Sequence, residues 1–248
     1  MTLYYIHLGL DYDDYIQTNN ILRYEFQQRT NFIDDYFSKK IRKLKFKTDG
    51  TFNMISISPT EFEIKSNSIV PENVLEVNLP FEPKKYEKIK GTEDCNYYLE
   101  LLENGFKKAS ELKTIPLDNL LSLIVEFRND GCKNQWIHKK KRSKESDIEV
   151  ILICDFTTNY FQLWLTVNEI STKKELINEV IIRTKTGNSI HEKMFKNILI
   201  DDDDIIITDN SDSPRIAINK QSVLNQKLEY KIIGDTEIKE ILTYELNN

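Results

Sequence analysis

The chain has 248 residues, of which 40% are hydrophobic and 30% charged, and its formal net charge at pH 7 is −6. That share of core-forming residues excludes an intrinsically disordered chain, and the acidic balance disfavours non-specific adhesion to nucleic acid or anionic membranes. Alanine occurs at Ala109 and Ala217 alone, and the accompanying excess of isoleucine, asparagine and lysine is typical of an AT-rich, bacterial genome.

The first 90 residues are predicted to form a mixed α/β segment. Residues 1–10 alternate as a strand does, and residues 13–43 carry apolar side chains at helical spacing. The Asp49-Gly50 pair then stands between the alternating segments 43–47 and 51–58. An Asp-Gly pair in that setting predicts a β-hairpin.

A further strand is predicted at residues 74–79, and Pro80 places it at a sheet edge or at the strand's end. The lysine-rich residues 84–90 then mark the first candidate domain boundary. Residues 91–145 are predicted to form a helical hairpin followed by a basic linker.

The sequence contains start or stop signals for both helices of this hairpin. Thr92 is a candidate N-cap for a helix over 93–112, whose apolar residues recur at helical period. In the next helix Pro116 suits the first position, and Gly131 supplies a left-handed stop.

Residues 146–248 are predicted to be rich in antiparallel strands. Short polar connections separate apolar or alternating segments at 148–154, 160–167, 177–183, 197–200, 205–208, 215–218 and 228–233. We therefore predict an α+β fold in which the helical hairpin packs against an antiparallel β-meander, in three segments or as one continuous domain. A strict βαβα alternation is absent, which argues against a doubly wound nucleotide-binding fold.

Residue types that catalyse reactions or bind metals are sparse. The chain has three histidines and three cysteines, and no C-x-x-C pair. This predicts neither a disulfide framework nor a zinc ribbon, and it fits a reducing compartment. Cys132 near His138 is interpreted as a packing residue rather than a zinc ligand, and Cys154, in an apolar strand, as an inert core residue.

The seven glycines stand far apart, so the chain has no glycine-rich loop that would bind phosphate. We expect no metal and no cofactor, and we favour a protein that is not an enzyme. No run of 18 apolar residues occurs, and the N-terminus lacks a basic segment and a cleavage site. A cytoplasmic protein without a membrane partner is expected.

One motif points to an enzyme. Asp49 followed by Glu63-Ile64-Lys65 resembles the D…(D/E)-x-K signature of restriction-endonuclease-like nucleases. The resemblance implies that Asp49 and Glu63 bind Mg²⁺ while Lys65 orients the attacking water. In the other interpretation Asp49 serves the predicted turn, and the remaining residues lie on a solvated strand. A metal-dependent nuclease is therefore the alternative function.

Charged clusters allow further interpretations. Lys139, Lys140, Lys141 and Arg142 follow Trp136, and lysines beside an aromatic residue neutralise phosphates and stack a base. A nucleic-acid-binding adaptor using Lys139–Lys144 is thus a second alternative. We favour a charged linker, or the counter-charge of an acidic turn, because the whole protein is acidic.

Two acidic clusters lack the glycine and glutamate of a calcium-binding EF-hand loop. They are Asp11 with Asp13 and Asp14, and Asp201, Asp202, Asp203 and Asp204. The second cluster lies between apolar segments, which predicts a tight hairpin turn with solvated charges.

We interpret the chain as a non-enzymatic bacterial module that binds a basic protein partner. Its profile is similar to that of the immunity proteins that bacteria encode beside secreted toxins, which implies neutralisation of a toxin by stoichiometric occlusion. We predict that Asp201–Asp204, with Asp11–Asp14 in addition, steer the partner and that Trp136 anchors it. Trp136 is preferred to Trp164, which alternates with Leu163 and Leu165 in a strand.

Overall fold

The computed structural model describes residues 1–64, 68–70, 73–186 and 193–243. The chain divides into two compact units. Unit 1 comprises Met1–Asn134 with Thr157–Asn159, and unit 2 comprises Gln135–Phe156 with Tyr160–Asn248. None of the described helices combines the length and the apolar composition that crossing a bilayer requires.

Unit 1 contains both helices and strands, which follow one another in groups. In chain order its described elements are β1 (Tyr5–Leu8), α1 (Tyr12–Thr18), α2 (Asn20–Leu44), β2 (Met54–Thr60), β3 (Ser68–Val70), β4 (Val74–Pro80), α3 (Pro83–Ile89), α4 (Asn96–Leu112) and α5 (Leu117–Asn129). The helical prediction for 13–43 is confirmed by α1 and α2. They are separate because Asn19 ends α1 and caps α2, its side chain accepting a hydrogen bond from the Leu22 N–H.

The sheet of unit 1 is mainly parallel, which the sequence did not predict. β1, β2 and β4 pair in parallel, and β3 adds antiparallel to β4, giving the order β1-β2-β4-β3. The predicted β-hairpin at Asp49-Gly50 is wrong, because residues 43–44 belong to α2 and β2 has β1 and β4 as its two neighbours. Asp49 does form a local turn, in which its Oδ1 accepts from the N–H of Thr51 at 2.9 Å.

The helical hairpin is confirmed by α4 and α5. α5 begins at Leu117, so Pro116 is its N-cap and not its first residue as predicted, and Gly131 beyond its end has a positive φ of 70°. α4 begins three residues later than the prediction of 93, because Thr92 is used in a preceding turn. There its Oγ1 donates to the Ile89 carbonyl and accepts from the Asp94 N–H. The lysine-rich residues 84–90, predicted as a boundary, form most of α3.

The two ends of this hairpin are joined by a disulfide between Cys95 and Cys132. The prediction that the cysteines form no disulfide is therefore wrong. Cys95 precedes the first residue of α4 and Cys132 follows α5. Returning antiparallel helices bring these positions together, with a Cα–Cα distance of 6.6 Å, although 37 residues separate them in sequence. Cys154 is buried and has a free thiol, as predicted.

One face of the parallel sheet forms the core of unit 1. Its buried side chains are Ile6, Leu8, Ile55, Ile57, Leu75, Val77 and Leu79. α4 lies against β2 and β4, and Gly105 allows its close approach, since a Cβ there would lie 2.5 Å from the Ile57 side chain. The other face carries polar side chains at the alternate positions.

Helix α2 runs along the outer edge of β1 and satisfies its backbone. Thr30, Asp34 and Ser38 are spaced four residues apart and so lie on one side of the helix. The Oδ1 of Asp34 accepts from the Leu8 N–H at 2.9 Å, and the Oγ of Ser38 accepts from the Ile6 N–H at 3.1 Å. The hydroxyl of Thr30 donates to the Leu8 carbonyl at 2.7 Å.

Unit 2 contains two antiparallel sheets. Its described elements are β5 (Asn134–Ser143), β6 (Ile148–Phe156), β7 (Tyr160–Glu169), β8 (Glu175–Lys185), β9 (Asn197–Ile200), β10 (Asp204–Thr208), β11 (Pro214–Asn219), α6 (Lys220–Leu224), β12 (Tyr230–Ile232) and α7 (Thr236–Thr243). The sheet orders are β5-β6-β7-β8 and β12-β11-β10-β9. Each strand predicted in 146–248 has its counterpart here, and the α+β class is confirmed. The finer prediction, that the helical hairpin packs against the meander, stays a prediction.

Candidate functional site

The polar face of the parallel sheet forms the floor of a cleft in unit 1. His7, Ser56 and Glu76 lie in one row across β1, β2 and β4, because parallel pairing aligns these three positions. Ser58 follows on the same face of β2. Ser56 and Ser58 are buried although they line the cleft, and both faces of a parallel sheet usually carry apolar contacts, so this row of polar residues is unusual. The cleft has a volume of about 300 Å³.

Helical residues form the opposite side of the cleft. Tyr12 comes from α1, and Arg23 and Gln27 come from successive turns of α2. The guanidinium carbon of Arg23 lies 5.0 Å from the ring centroid of Tyr12 and 4.8 Å from that of Tyr24. The two aromatic rings thus hold the cation in a fixed position beside the sheet.

His7 is a titratable group of the cleft whose pKa is shifted. Its Nδ1 lies 2.7 Å from Oδ2 of Asp34, and this contact places the ring proton on Nδ1 and leaves Nε2 for the cleft. Burial of the imidazole acts to lower its pKa, but the charge of Asp34 and this hydrogen bond outweigh that effect and raise the pKa of His7. Burial in turn raises the pKa of Asp34, against the effect of His7.

Gly9 makes room for the imidazole. A Cβ at position 9 would lie 2.6 Å from Nε2 of His7, so a side chain there would displace the ring. Next to it, the hydroxyls of Ser56 and Ser58 lie 3.3 Å apart, and Ser58 donates to Glu76 at 3.3 Å. Within the described residues no hydrogen bond joins Nε2 to either serine. The arrangement therefore orients polar groups for binding and does not form a closed Ser-His-Asp relay.

The Asp34→Asn variant tests the origin of the shifted pKa. Removing the charge leaves burial as the main influence, so we expect the pKa of His7 to fall below its ordinary value of 6.5. In the wild type the raised pKa means that protonated His7 stabilises the fold below pH 6.5, and this contribution is lost as the pH rises through the folded-state pKa. NMR titration of the imidazole measures the shift.

His138 is the matched control for that titration, because it lies in unit 2, where its Nε2 contacts the carbonyl oxygen of Phe195 at 2.6 Å. Its pKa should be the same in the wild type and in Asp34→Asn. An unchanged pKa of His7 in the variant would refute the role given to Asp34.

The residues of the nuclease-like motif are not brought together. Asp49 precedes the amino end of β2 and Glu63 follows its carboxyl end, and the seven residues of that strand span about 20 Å. Asp49 instead forms an ion pair with Lys113 at 2.6 Å, and together with Thr51 this contact lowers its pKa. Lys65 lies outside the described residues. In the part of the chain that is described, no cluster of His, Cys, Asp or Glu could hold a metal ion.

The acidic clusters have structural roles. Asp201 begins the turn between β9 and β10, where its Oδ1 accepts from the N–H groups of Asp203 and Asp204. This agrees with the predicted hairpin turn. Asp11 is buried and caps α1 by accepting from the Asp14 N–H at 3.0 Å, so it is not a solvated charge. Asp13 is exposed.

Trp136 lies near the start of β5 and is half-buried. The acidic turn belongs to the other end of that strand, because Lys220 contacts both the Asp201 carbonyl and the Ser146 hydroxyl. From Trp136 to Ser143 the strand covers about 23 Å. The predicted anchor and the predicted steering charges are therefore not brought together. Trp164 is half-buried in β7, and no described residue accepts a hydrogen bond from its buried Nε1.

The basic run is part of a strand and not a linker, since β5 includes Lys139–Arg142. Lys140 and Arg142 both form ion pairs with Glu149 on β6 and lower the pKa of that carboxyl, Arg142 having the larger effect. Two of the four cations thus have an internal counter-charge. The sequence predicted that these cations balance an acidic turn, whereas Lys140 and Arg142 balance Glu149 on the neighbouring strand.

Sequence reasoning missed His7, Asp34 and Arg23. Twenty-seven residues separate His7 from Asp34, and no motif spacing connects them. One usable signal was the repeat of Thr30, Asp34 and Ser38 at four-residue spacing, because polar residues on a buried helix face require partners.

No protein-family model, no curated protein and no solved structure matches this chain.

Proposed function

We propose that the protein is a non-enzymatic module that binds a basic protein partner through the start of α2 and the adjoining α1. The observation that carries the proposal is an exposed cluster in unit 1. Tyr12 is 60% exposed, Ile21 84% and Tyr24 55%, and Arg23 lies between the two tyrosine rings. We call Tyr12, Ile21, Arg23 and Tyr24 the Tyr-Arg face.

The composition of the Tyr-Arg face supports its role as an interface. Tyrosine and arginine are among the residue types that contribute most to binding when a partner desolvates them. Apolar surface that is exposed to water favours association, because a partner that covers it removes it from water. Because Arg23 is already held by stacking, little side-chain entropy remains to be lost on binding.

Charge supports a basic partner. Exposed Asp13 directly follows Tyr12 on α1 and so borders the Tyr-Arg face. The chain as a whole carries a net charge of −6. Rim carboxylates of this kind accelerate association with a positively charged surface. More narrowly, we propose that the protein is an immunity-type inhibitor that occludes a toxin. The net negative charge of the chain supports this narrower proposal.

The Ile21→Asp variant tests the interface. Placing a charge on the Tyr-Arg face should weaken binding of the partner by at least about 30-fold, the effect of losing one strong interface residue. A partner is first captured on the immobilised protein from native cell extract, with the products of neighbouring genes included. It is then purified and titrated by calorimetry.

Val125→Asp is the matched control, because Val125 is an exposed aliphatic residue on α5 of the same unit. It should bind like the wild type. Equal affinity of Ile21→Asp and the wild type would refute the assignment of this face. A dimer that Ile21→Asp disrupts, seen by sedimentation, would assign the face to self-association and overturn the proposal.

A further inference from the structure

The cleft beside the Tyr-Arg face contains hydrogen-bond donors that a ligand could use. The first is Arg23, whose Nε donates to the side chain of Asn20 at 2.9 Å. Among the residues that the structure describes, none accepts a hydrogen bond from its two Nη groups. Arg23 is among the residues that line the cleft, so these Nη donors remain available to a ligand bound there. Guanidinium donors in this geometry fit two oxygens of one carboxylate or phosphate.

His7 supplies a second donor from the sheet. Its Nδ1 is committed to Asp34, so the group left for a ligand is Nε2, which lies beside Gly9 on the cleft side. When the ring is protonated, Nε2 donates a hydrogen bond and carries positive charge. The hydroxyl protons of Ser56 and Ser58 on the neighbouring strand are already committed, because Ser58 donates to Glu76 and Ser56 therefore donates to Ser58.

Glu76 limits what can bind. It lies on β4, two strands away from His7, and strands are spaced about 4.8 Å apart, which places the two Cα atoms about 10 Å from each other. Arg23 thus supplies the positive charge on the α2 side of the cleft, where Asp34 balances His7, and Glu76 lies on the β4 side. A second negative group on the ligand would be disfavoured beside the carboxylate of Glu76, which accepts from Ser58.

We propose that this cleft binds a small ligand through one anionic group, a carboxylate or a phosphate, held between the guanidinium of Arg23 and the imidazole of His7. A volume of about 300 Å³ is at the lower end of the range for ligand sites and fits a small molecule. Tyr12 and Arg23 also belong to the Tyr-Arg face, but the inference does not require the protein partner, because each group that holds the anion belongs to this chain.

The experiment titrates the isotope-labelled full chain separately with inorganic phosphate and with acetate. Chemical shift changes should concentrate at residues 7–12 and 56–58. Arg23→Gln and His7→Gln should each raise the dissociation constant at least tenfold. Lys107→Gln removes a cation from the exposed face of α4 and should bind like the wild type. Tighter binding of phosphate identifies phosphate monoesters as the ligand class, and tighter binding of acetate identifies carboxylic acids.

Two further measurements accompany this titration, one for the folding of the variants and one for the state of His7. The amide spectra of the variants show whether they are folded. The pKa of His7 in the wild type should rise when the anion binds, which a purely structural imidazole would not show. Ile21→Asp, which removes the partner interface, should retain anion binding, so the two proposals can fail separately. Binding of neither probe, or equal binding by Arg23→Gln and the wild type, would overturn the inference.

Discussion

Phe127→Ala is expected to lower the free energy of unfolding by about 3–5 kcal/mol, the usual cost of removing a fully buried ring. Phe127 has no exposed surface and joins α5 to α2. Its ring centroid lies 4.3 Å from that of Tyr36, 5.8 Å from that of Phe37 and 5.9 Å from that of Phe32. The alanine variant leaves a cavity among these three rings. Urea denaturation monitored by circular dichroism measures the change.

Val125→Ala is the control for this prediction, because it shortens a 52% exposed side chain on the same helix. Its effect should stay within about 0.5 kcal/mol. Equal stability of the two variants would mean that α5 does not pack against α2 as described.

Reduction of the Cys95–Cys132 disulfide should cost about 4 kcal/mol of stability. The bond closes a loop of 37 residues, and opening it returns conformational entropy to the unfolded chain. The Cys95→Ala, Cys132→Ala double variant should be destabilised to a similar extent. Urea denaturation with and without a thiol reductant measures both effects.

The reductant should leave the double variant unchanged, because its remaining cysteine, Cys154, is a buried free thiol. If the reductant destabilised the double variant as strongly as the wild type, the disulfide would not be the cause. If the wild type did not respond to complete reduction, the bond would not contribute to stability.

The sequence was most informative where local pattern and tertiary contacts agree. The segments 148–154 and 160–167 are apolar and β-branched, and their antiparallel partner is adjacent in the chain, so β6 and β7 could be predicted from local signals. The helix after Pro116 could be predicted in the same way. Proline lacks the backbone N–H and has a fixed φ, and both properties suit a helix start whatever the helix packs against.

Prediction failed where contacts between residues far apart in sequence determine the structure. The Asp49-Gly50 turn is real, but β2 pairs with β1 and β4, which lie far along the chain on either side. Turn signals describe four residues and carry no information about parallel partners. The disulfide was missed for the same reason, since the spacing of Cys95 and Cys132 follows from the lengths of two helices and matches no motif.

The candidate cleft could not be predicted because its chemistry is distributed over four elements. His7, Arg23, Ser56 and Glu76 come from β1, α2, β2 and β4, and each is unremarkable in its own segment. What unites them is the register of the parallel strands, which a single sequence does not specify. The Tyr-Arg face was missed because apolar spacing in α2 does not distinguish exposed Ile21 from buried Phe26.

The edge of β1 has one more consequence. A strand with free N–H and C=O groups is a template for strands of other chains, and such pairing leads to aggregation or domain swapping. Thr30, Asp34 and Ser38 occupy those groups on Ile6 and Leu8, so α2 protects this border of the sheet from recruiting another molecule. Substitutions that detach α2 would therefore reduce solubility as well as stability, and Asp34, which orients His7 for the cleft, also keeps the protein from self-assembling.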